Sequence, residues 1–257
     1  MVDNLKRLRK AVLMTKRLLL LLPWLAGAFL LLGACGGDDD DDGSNEDSDE
    51  ATVTETPQDF LSSAADEIEQ LENFHFLLTH ENGATDIVLD LAMTRAEGDV
   101  IPPDTLQADV EAEGPGGIGI DTEVIAIDDE VFFGNPFGGG FITADFDIGE
   151  ILDPVGGVVA LLRNAPDDVE YAASETIGGV DTQVVAAAFD SALLEDLIPG
   201  ADPGFQVEVT IWIGKDDRLP YRVLLVGPLN EDDPADIERL IELSSFNGGS
   251  LTIEPPE

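Results

Sequence analysis

Leu61, Ala64, Ala65, Ile68 and Leu71 recur at the three- and four-residue spacing of one helix face, so the pattern predicts a helix over 57–73. Thr56-Pro57-Gln58-Asp59 supplies its start, with an N-cap hydroxyl, proline at the first helical position and an acid at the third. The period then drops to two. Phe74, Phe76, Leu78 and His80 alternate with His75, Leu77 and Thr79, and residues 85–93, 105–113, 118–127 and 130–134 read as further strands. Asn82-Gly83 predicts a hairpin turn between the first two, and a Gly- and Phe-rich loop occupies 135–141.

Asp153-Pro154 opens a second predicted helix, Asp153 as N-cap and Pro154 at N1, with Val155, Val158, Val159 and Leu162 on one face. Strands at 169–176 and 182–189 flank a Gly178-Gly179 hairpin, and a short helix at 191–198 ends at Pro199-Gly200. Strands at 205–213 and 221–226 flank the turn Lys215-Asp216-Asp217-Arg218. Residues 234–241 fit a helical turn or the start of a strand, and 242–246 and 250–253 close the chain. Hairpin-linked strands with few helices predict an α+β fold, a large antiparallel sheet with two or three helices on one face.

The amino-terminal segment obeys a different pattern. Lys6, Arg7, Arg9, Lys10, Lys16 and Arg17 precede an apolar run, 18–32, too short for the roughly 20 residues of a spanning helix. A basic region, a short apolar core and small residues before a break predict a signal peptide at 1–34. Leu32-Gly33-Ala34-Cys35 looks like the bacterial lipobox, and Cys35 is the chain's one cysteine. The expectation is a thioether-linked diacylglyceryl anchor at Cys35, an acylated membrane tether on the extracytoplasmic face; two or more chains make such anchoring stable.

Residues 35–55 then read as an acidic flexible linker, with five aspartates from Asp38 to Asp42, and 56–257 as a single domain. Asp38, Asp40, Asp42, Gly43 and Asp49 fall at calcium-loop positions, but no helix can precede Asp38 so close to Cys35; a solvated spacer is the better reading.

Charge narrows the partners. The net charge is -42, and from Cys35 onward 53 acids face six bases, Lys215 being the one lysine. Such a body repels polyphosphate, so no nucleic-acid partner is expected. It also repels anionic lipid headgroups, which leaves the anchor as the expected route to the membrane.

Candidate chemistry thins the field further. Gly114-Pro115-Gly116-Gly117-Ile118-Gly119 fits a dinucleotide fingerprint literally but leads into a strand, so a hairpin turn is expected there. His75 and His80, the only histidines, are separated by an odd number and should lie on opposite strand faces. No nucleophile motif or metal signature occurs, so the sequence offers no catalytic residues, no metal ligands and no cofactor, and the reading is not an enzyme.

Several strands are apolar on both parities, as in Ile87-Val88-Leu89, Val131-Phe132-Phe133, Ile211-Trp212-Ile213 and Val223-Leu224-Leu225-Val226. Runs of that kind fit a packed core and a ligand cavity equally well.

Three further stretches carry a family resemblance: Leu71-Glu72-Asn73-Phe74-His75-Phe76, Asp153-Pro154-Val155-Gly156-Gly157, and the hairpin Glu175-Thr176-Ile177-Gly178-Gly179. With Val131-Phe132-Phe133, Val209-Thr210-Ile211-Trp212-Ile213 and Arg218-Leu219-Pro220, they resemble the LppX/LprA/LprF/LprG-type lipoproteins, whose fold is similar to LolA and LolB. The resemblance implies an antiparallel half-barrel with helices on its concave face and a cavity for acylated lipid or lipoglycan. It implies carriage within the cell envelope, with an export-machinery partner that the sequence does not name. A second reading is an envelope-sensing module acting through a protein partner, without lipid transfer. The body is far more acidic than those relatives, so the identity of the lipid does not transfer.

Candidate lining residues on that reading are Leu61, Ile68 and Leu71 from the first helix and Val155, Val158, Val159 and Leu162 from the second. Phe74, Phe76, Phe133 and Trp212 are the candidate sheet wall.

Overall fold

The computed structural model describes residues 55–257 apart from 129, 137, 145–147, 151, 152 and 257. The expected signal segment, Cys35 and nearly all of the acidic linker lie outside the described residues.

Helix α1 is Pro57–Ile68. Its start follows the sequence: the Asp59 amide donates to Thr56 Oγ1 at 3.2 Å, and the Thr56 hydroxyl donates to Asp59 Oδ2 at 2.8 Å. It stops five residues short of the predicted end. Tight turns close at Gln70 and Leu71, whose amides donate to the carbonyls of Glu67 and Ile68. Asn73 is then held by the chain's far end, donating to the Gly249 carbonyl at 2.9 Å and accepting from the Gly248 amide at 3.1 Å.

Among the described residues, thirteen strands follow in one antiparallel sheet. In chain order they are β1 (Phe74–Glu81), β2 (Thr85–Ile87), β3 (Leu91–Ile101), β4 (Thr105–Gly114), β5 (Ile118–Ile127), β6 (Glu130–Gly134) and β7 (Phe141–Ala144). After helix α2 (Gly156–Arg163) come β8 (Glu170–Tyr171), β9 (Glu175–Ile177), β10 (Val180–Asp190), β11 (Gln206–Gly214), β12 (Pro220–Val226) and β13 (Glu238–Ser244). The order across the sheet is β7-β6-β5-β4-β3-β1-β13-β12-β11-β10-β8, with β2 on β3 and β9 on β10. Among the described residues its two edges do not pair with each other, so the sheet is open.

Side-chain alternation gives this sheet two unlike faces. On one, Val185, Ile211, Val223, Ile241, Leu78, Ala96 and Val110 stand directly opposite one another across seven strands, all buried. Phe60, Leu61, Ala64, Ala65 and Ile68 of α1 and Val158, Leu161 and Leu162 of α2 join the same apolar core. Burying each large apolar side chain contributes about 1.5–3 kcal/mol, which is what holds the two helices on this face. Arg163 clamps the helices together at their rim, donating to Asp66 at 3.0 Å and Glu69 at 2.7 Å.

Several expectations change. Asn82-Gly83 does not close a hairpin between β1 and β2. Asn82 is left-handed at φ 64°, but β1 pairs with β3 and β13, while β2 pairs with β3 alone. The turn is instead docked on the β12–β13 connection, where Asn82 donates to the Asp236 carbonyl at 3.0 Å and a Cβ on Gly83 would lie 2.5 Å from Ile237. The predicted strand 85–93 is interrupted by a 3-10 turn at Val88–Asp90, and β3 runs on to Ile101. Asp153, predicted as the N-cap of α2, lies two residues ahead of the observed N-cap Val155, yet still accepts from the Val155 and Gly156 amides at 3.1 and 2.8 Å. Residues 234–241, which fitted a helical turn or the start of a strand, hold a turn at 235–236 and then the first residues of β13, while the predicted helix at 191–198 is a 3-10 turn at Ser191–Leu194.

Candidate functional site

Two of the helix positions expected to line a cavity, Leu61 and Ile68, are fully enclosed between α1 and the sheet, and Leu71 follows the helix into the same core. Val158 and Leu162 of α2 meet them there, while Val155 and Val159 are half-buried at its margin. The sheet contributes Phe74 and Phe76 from β1 and Phe133 from β6. Ten of the eleven candidates therefore belong to one apolar interior.

Trp212 does not. It lies between the buried Ile211 and Ile213 on β11, and strand alternation points it to the opposite face. There its indole Nε1–H donates to Glu175 at 2.7 Å and the Arg222 guanidinium lies over its ring at 5.6 Å. The apolar triplet hid the parity, because the flanking isoleucines are the inward pair.

The interior also holds apolar residues the sequence reading did not single out. Phe60 is wholly buried, meets the Tyr171 ring edge-on with centroids 5.9 Å apart, and carries the Arg218 guanidinium 4.4 Å over its own ring. Phe189, Leu194 and Leu225 fill the same core. Gly157 lets α2 approach closely, since a Cβ there would lie 2.4 Å from the Leu197 Cα.

One corner of the interior is polar. Arg239 is 1% exposed on β13, at a position whose neighbours Ile237 and Ile241 mark as inward. Its Nη2 donates to Asp233 at 2.8 Å and its Nε donates to Thr85 Oγ1 at 2.9 Å. His80 completes the network, with Nδ1 at 2.9 Å from the Thr94 carbonyl and Nε2 at 2.8 Å from Thr85 Oγ1. A carbonyl only accepts, so Nδ1 carries the proton and Nε2 accepts from the Thr85 hydroxyl in the neutral ring. Burial pushes the His80 pKa below the ordinary 6.5, and nearby Arg239 adds to that. Arg239 Nη1 is the one buried side-chain polar atom without a partner among the described residues. Sequence alternation through Ile237, Arg239, Ile241 and Leu243 carried the signal for this inward arginine.

His75 sits on the other face, as the odd separation predicted, with Nδ1 at 2.9 Å from Asp99 and Nε2 at 3.3 Å from Glu97. Arg95 also engages Glu97 and holds that carboxyl below the usual range. Among the described residues no group of histidine and acid side chains is arranged to hold a metal ion. Nor is any described helix long and apolar enough to cross a membrane.

The architecture is an open antiparallel sheet with two described helices on its apolar face. The sequence matches the LppX_LprAFG lipoprotein family over residues 56–244, and the chain belongs to that family. It is similar to the crystal structure of LprF from Mycobacterium bovis, at 19% identity over 77% of this chain and 96% of that one, with a TM-score of 0.60. It is similar as well to LppX from Mycobacterium tuberculosis, at 20% identity over 76% and 97%, with a TM-score of 0.54. None of the curated proteins matches the sequence.

Proposed function

We propose that the protein is a membrane-anchored envelope lipoprotein that takes an acyl chain between its helices and its sheet and carries it. The observation supporting this is the interior itself: α1 and α2 lay apolar faces on one side of an open sheet. Membership of a lipoprotein family supports the anchor at Cys35, with 1–34 as export signal, 35–55 as tether and 56–257 as the carrier domain.

The energetics set the design. A sixteen-carbon chain carries about 12 kcal/mol of transfer free energy at roughly 0.8 kcal/mol per CH₂. A carrier must replace nearly all of that to extract the chain from a bilayer and must not exceed it by much, or release fails. A lining of Leu61, Ile68, Leu71, Phe74, Phe76 and Phe133, with Val155, Val158, Val159 and Leu162, offers apolar contact with few polar anchors. Half-buried Val155 and Val159 at the helix margin are the natural place for a chain to enter.

Native mass spectrometry of protein purified without its anchor tests the reading. A co-purified mass of one acyl lipid, released by denaturation, is the expected result. A clean apo mass together with no uptake from mixed micelles overturns it.

A further inference from the structure

Opposite the helices the sheet carries a groove of about 270 Å³. Its floor is Leu224 and Leu240, cross-strand neighbours on β12 and β13, continued by Thr79 on β1. Trp212 and Arg222 wall one side. Both are already fixed: the indole donates to Glu175, and Arg222 donates to Glu242 at 2.7 and 3.2 Å while stacking on the ring. The groove is thus preformed.

Glu81 and Glu238 form the other side, directly opposite each other on β1 and β13. Like charges in that position destabilise a sheet, and no base among the described residues engages either one. The arginines are spoken for elsewhere: Arg95 by Glu97 and Glu111, Arg163 by Asp66 and Glu69, Arg218 by Glu55, Arg222 by Glu242, Arg239 by Asp233. Glu208 extends the same acidic row two strands further on. An apolar trough with an unneutralised acid pair on its lip calls for a ligand that is cationic at one point and apolar beside it.

We infer that this face docks a basic, apolar segment of a partner protein, a Lys or Arg reaching Glu81 and Glu238 while apolar side chains fill the trough over Leu224, Leu240 and Trp212. Size argues for side chains over lipid, because the groove falls below the roughly 300–1,000 Å³ of small-molecule sites. The strands beneath it are paired on both sides, so docking runs through side chains and not by strand addition. Successive rows, Glu238, Leu240 and Glu242, are two residues apart, which matches alternate residues of an extended segment. The site lies on the far side of the sheet from the proposed acyl interior and does not depend on it.

The test uses the full chain with Trp24→Phe, leaving Trp212 the one indole, in nonionic micelles. The probe is acetyl-Lys-Ser-Leu-Ser-Leu-amide, read by Trp212 fluorescence. Saturable binding is expected, weakening with salt. Glu81→Gln with Glu238→Gln should weaken it about tenfold, two exposed ion pairs at roughly 0.7 kcal/mol each. Circular dichroism of the double variant should match the parent, since the change removes a repulsion. Equal affinity in a folded double variant, or equal binding of a peptide with Glu in place of Lys, overturns the inference. So does an equal Trp212 response to phosphatidylcholine vesicles, which would make this a bilayer-facing surface.

Discussion

The two faces of this sheet are built from the same strands and alternate residue by residue, yet they obey opposite rules. On the helix side one row reads Val185, Ile211, Val223, Ile241, Leu78, Ala96, Val110. Shifted by one residue, the other face reads Trp212, Arg222, Glu242, Leu77, Glu97, Asp109, Glu123. The first is apolar and covered by helices. The second begins with an aromatic–arginine pair and ends in carboxylates. A one-residue register slip would exchange them, so burial on one side fixes the register of both. Within the sheet, the carboxylates of this row stand on the face that meets water and not on the helix side, and surface charge of that kind favours solubility of a body with an apolar interior.

Neighbouring residues sharpen the contrast most. Phe76→Ala on the helix face should lower unfolding stability by about 3–5 kcal/mol. Leu77→Ala, one residue on and half-buried on the other face, should cost under about 1 kcal/mol by the same denaturant titration. Comparable losses would mean that the open face is also packed.

The arginines make the same comparison with charge. Removing Arg239 leaves the Asp233 carboxylate, its side chain 8% exposed, with only the Leu229 amide, donating at 2.8 Å, as partner. Arg239→Met should therefore cost about 3 kcal/mol or more. Arg222→Met unmakes an ion pair that water screens, and should cost about 0–1 kcal/mol. Equality of the two in urea melts would deny the polar corner its buried character.

Close packing beneath the helices offers a smaller effect. Gly157→Ala puts a methyl 2.4 Å from the Leu197 Cα, a backbone atom that cannot step aside cheaply. Overpacking of this kind typically costs about 1–3 kcal/mol. A thermal midpoint unchanged by Gly157→Ala would show α2 free to lift from the 191–198 segment.

How far the faces were legible in the sequence follows from side-chain size. Hairpins at Gly116-Gly117, Gly178-Gly179 and 215–218 were readable because turn residues interrupt clear alternation. The second half of β3 was not, since two of its three inward residues, Ala96 and Gly98 before Val100, are too small to register as hydrophobic. Gly98 has no room for more: a Cβ would lie 2.2 Å from the Gln107 carbonyl oxygen. β7 was hidden by the glycines that precede it. The inward burial of the candidate helix residues was legible from their spacing. The outward turn of Trp212 was not, because an apolar residue between two isoleucines looks the same from either face. The Arg239 corner was missed because its segment fitted two secondary structures, and only the strand makes that arginine inward.

Histidine titration provides the weakest and most specific test. Burial lowers the His80 pKa below its unfolded value of 6.5, so the unfolded chain binds the proton first as pH falls. Stability from this group is full above pH 6.5 and is lost progressively as pH drops from 6.5 through the folded pKa. The neutral ring is what the network requires, with Nδ1–H on the Thr94 carbonyl and Nε2 receiving the Thr85 hydroxyl. His80→Gln keeps a donor and an acceptor but cannot take up the proton. Its stability curve should be flatter than the parent's just below pH 6.5. His75→Gln, on the water-facing side between Asp99 and Glu97, is the matched control for the other face. Denaturant midpoints measured from pH 7.5 to 5.5 decide it: a parent curve left unchanged by His80→Gln would mean that the polar corner opens to water before the fold does.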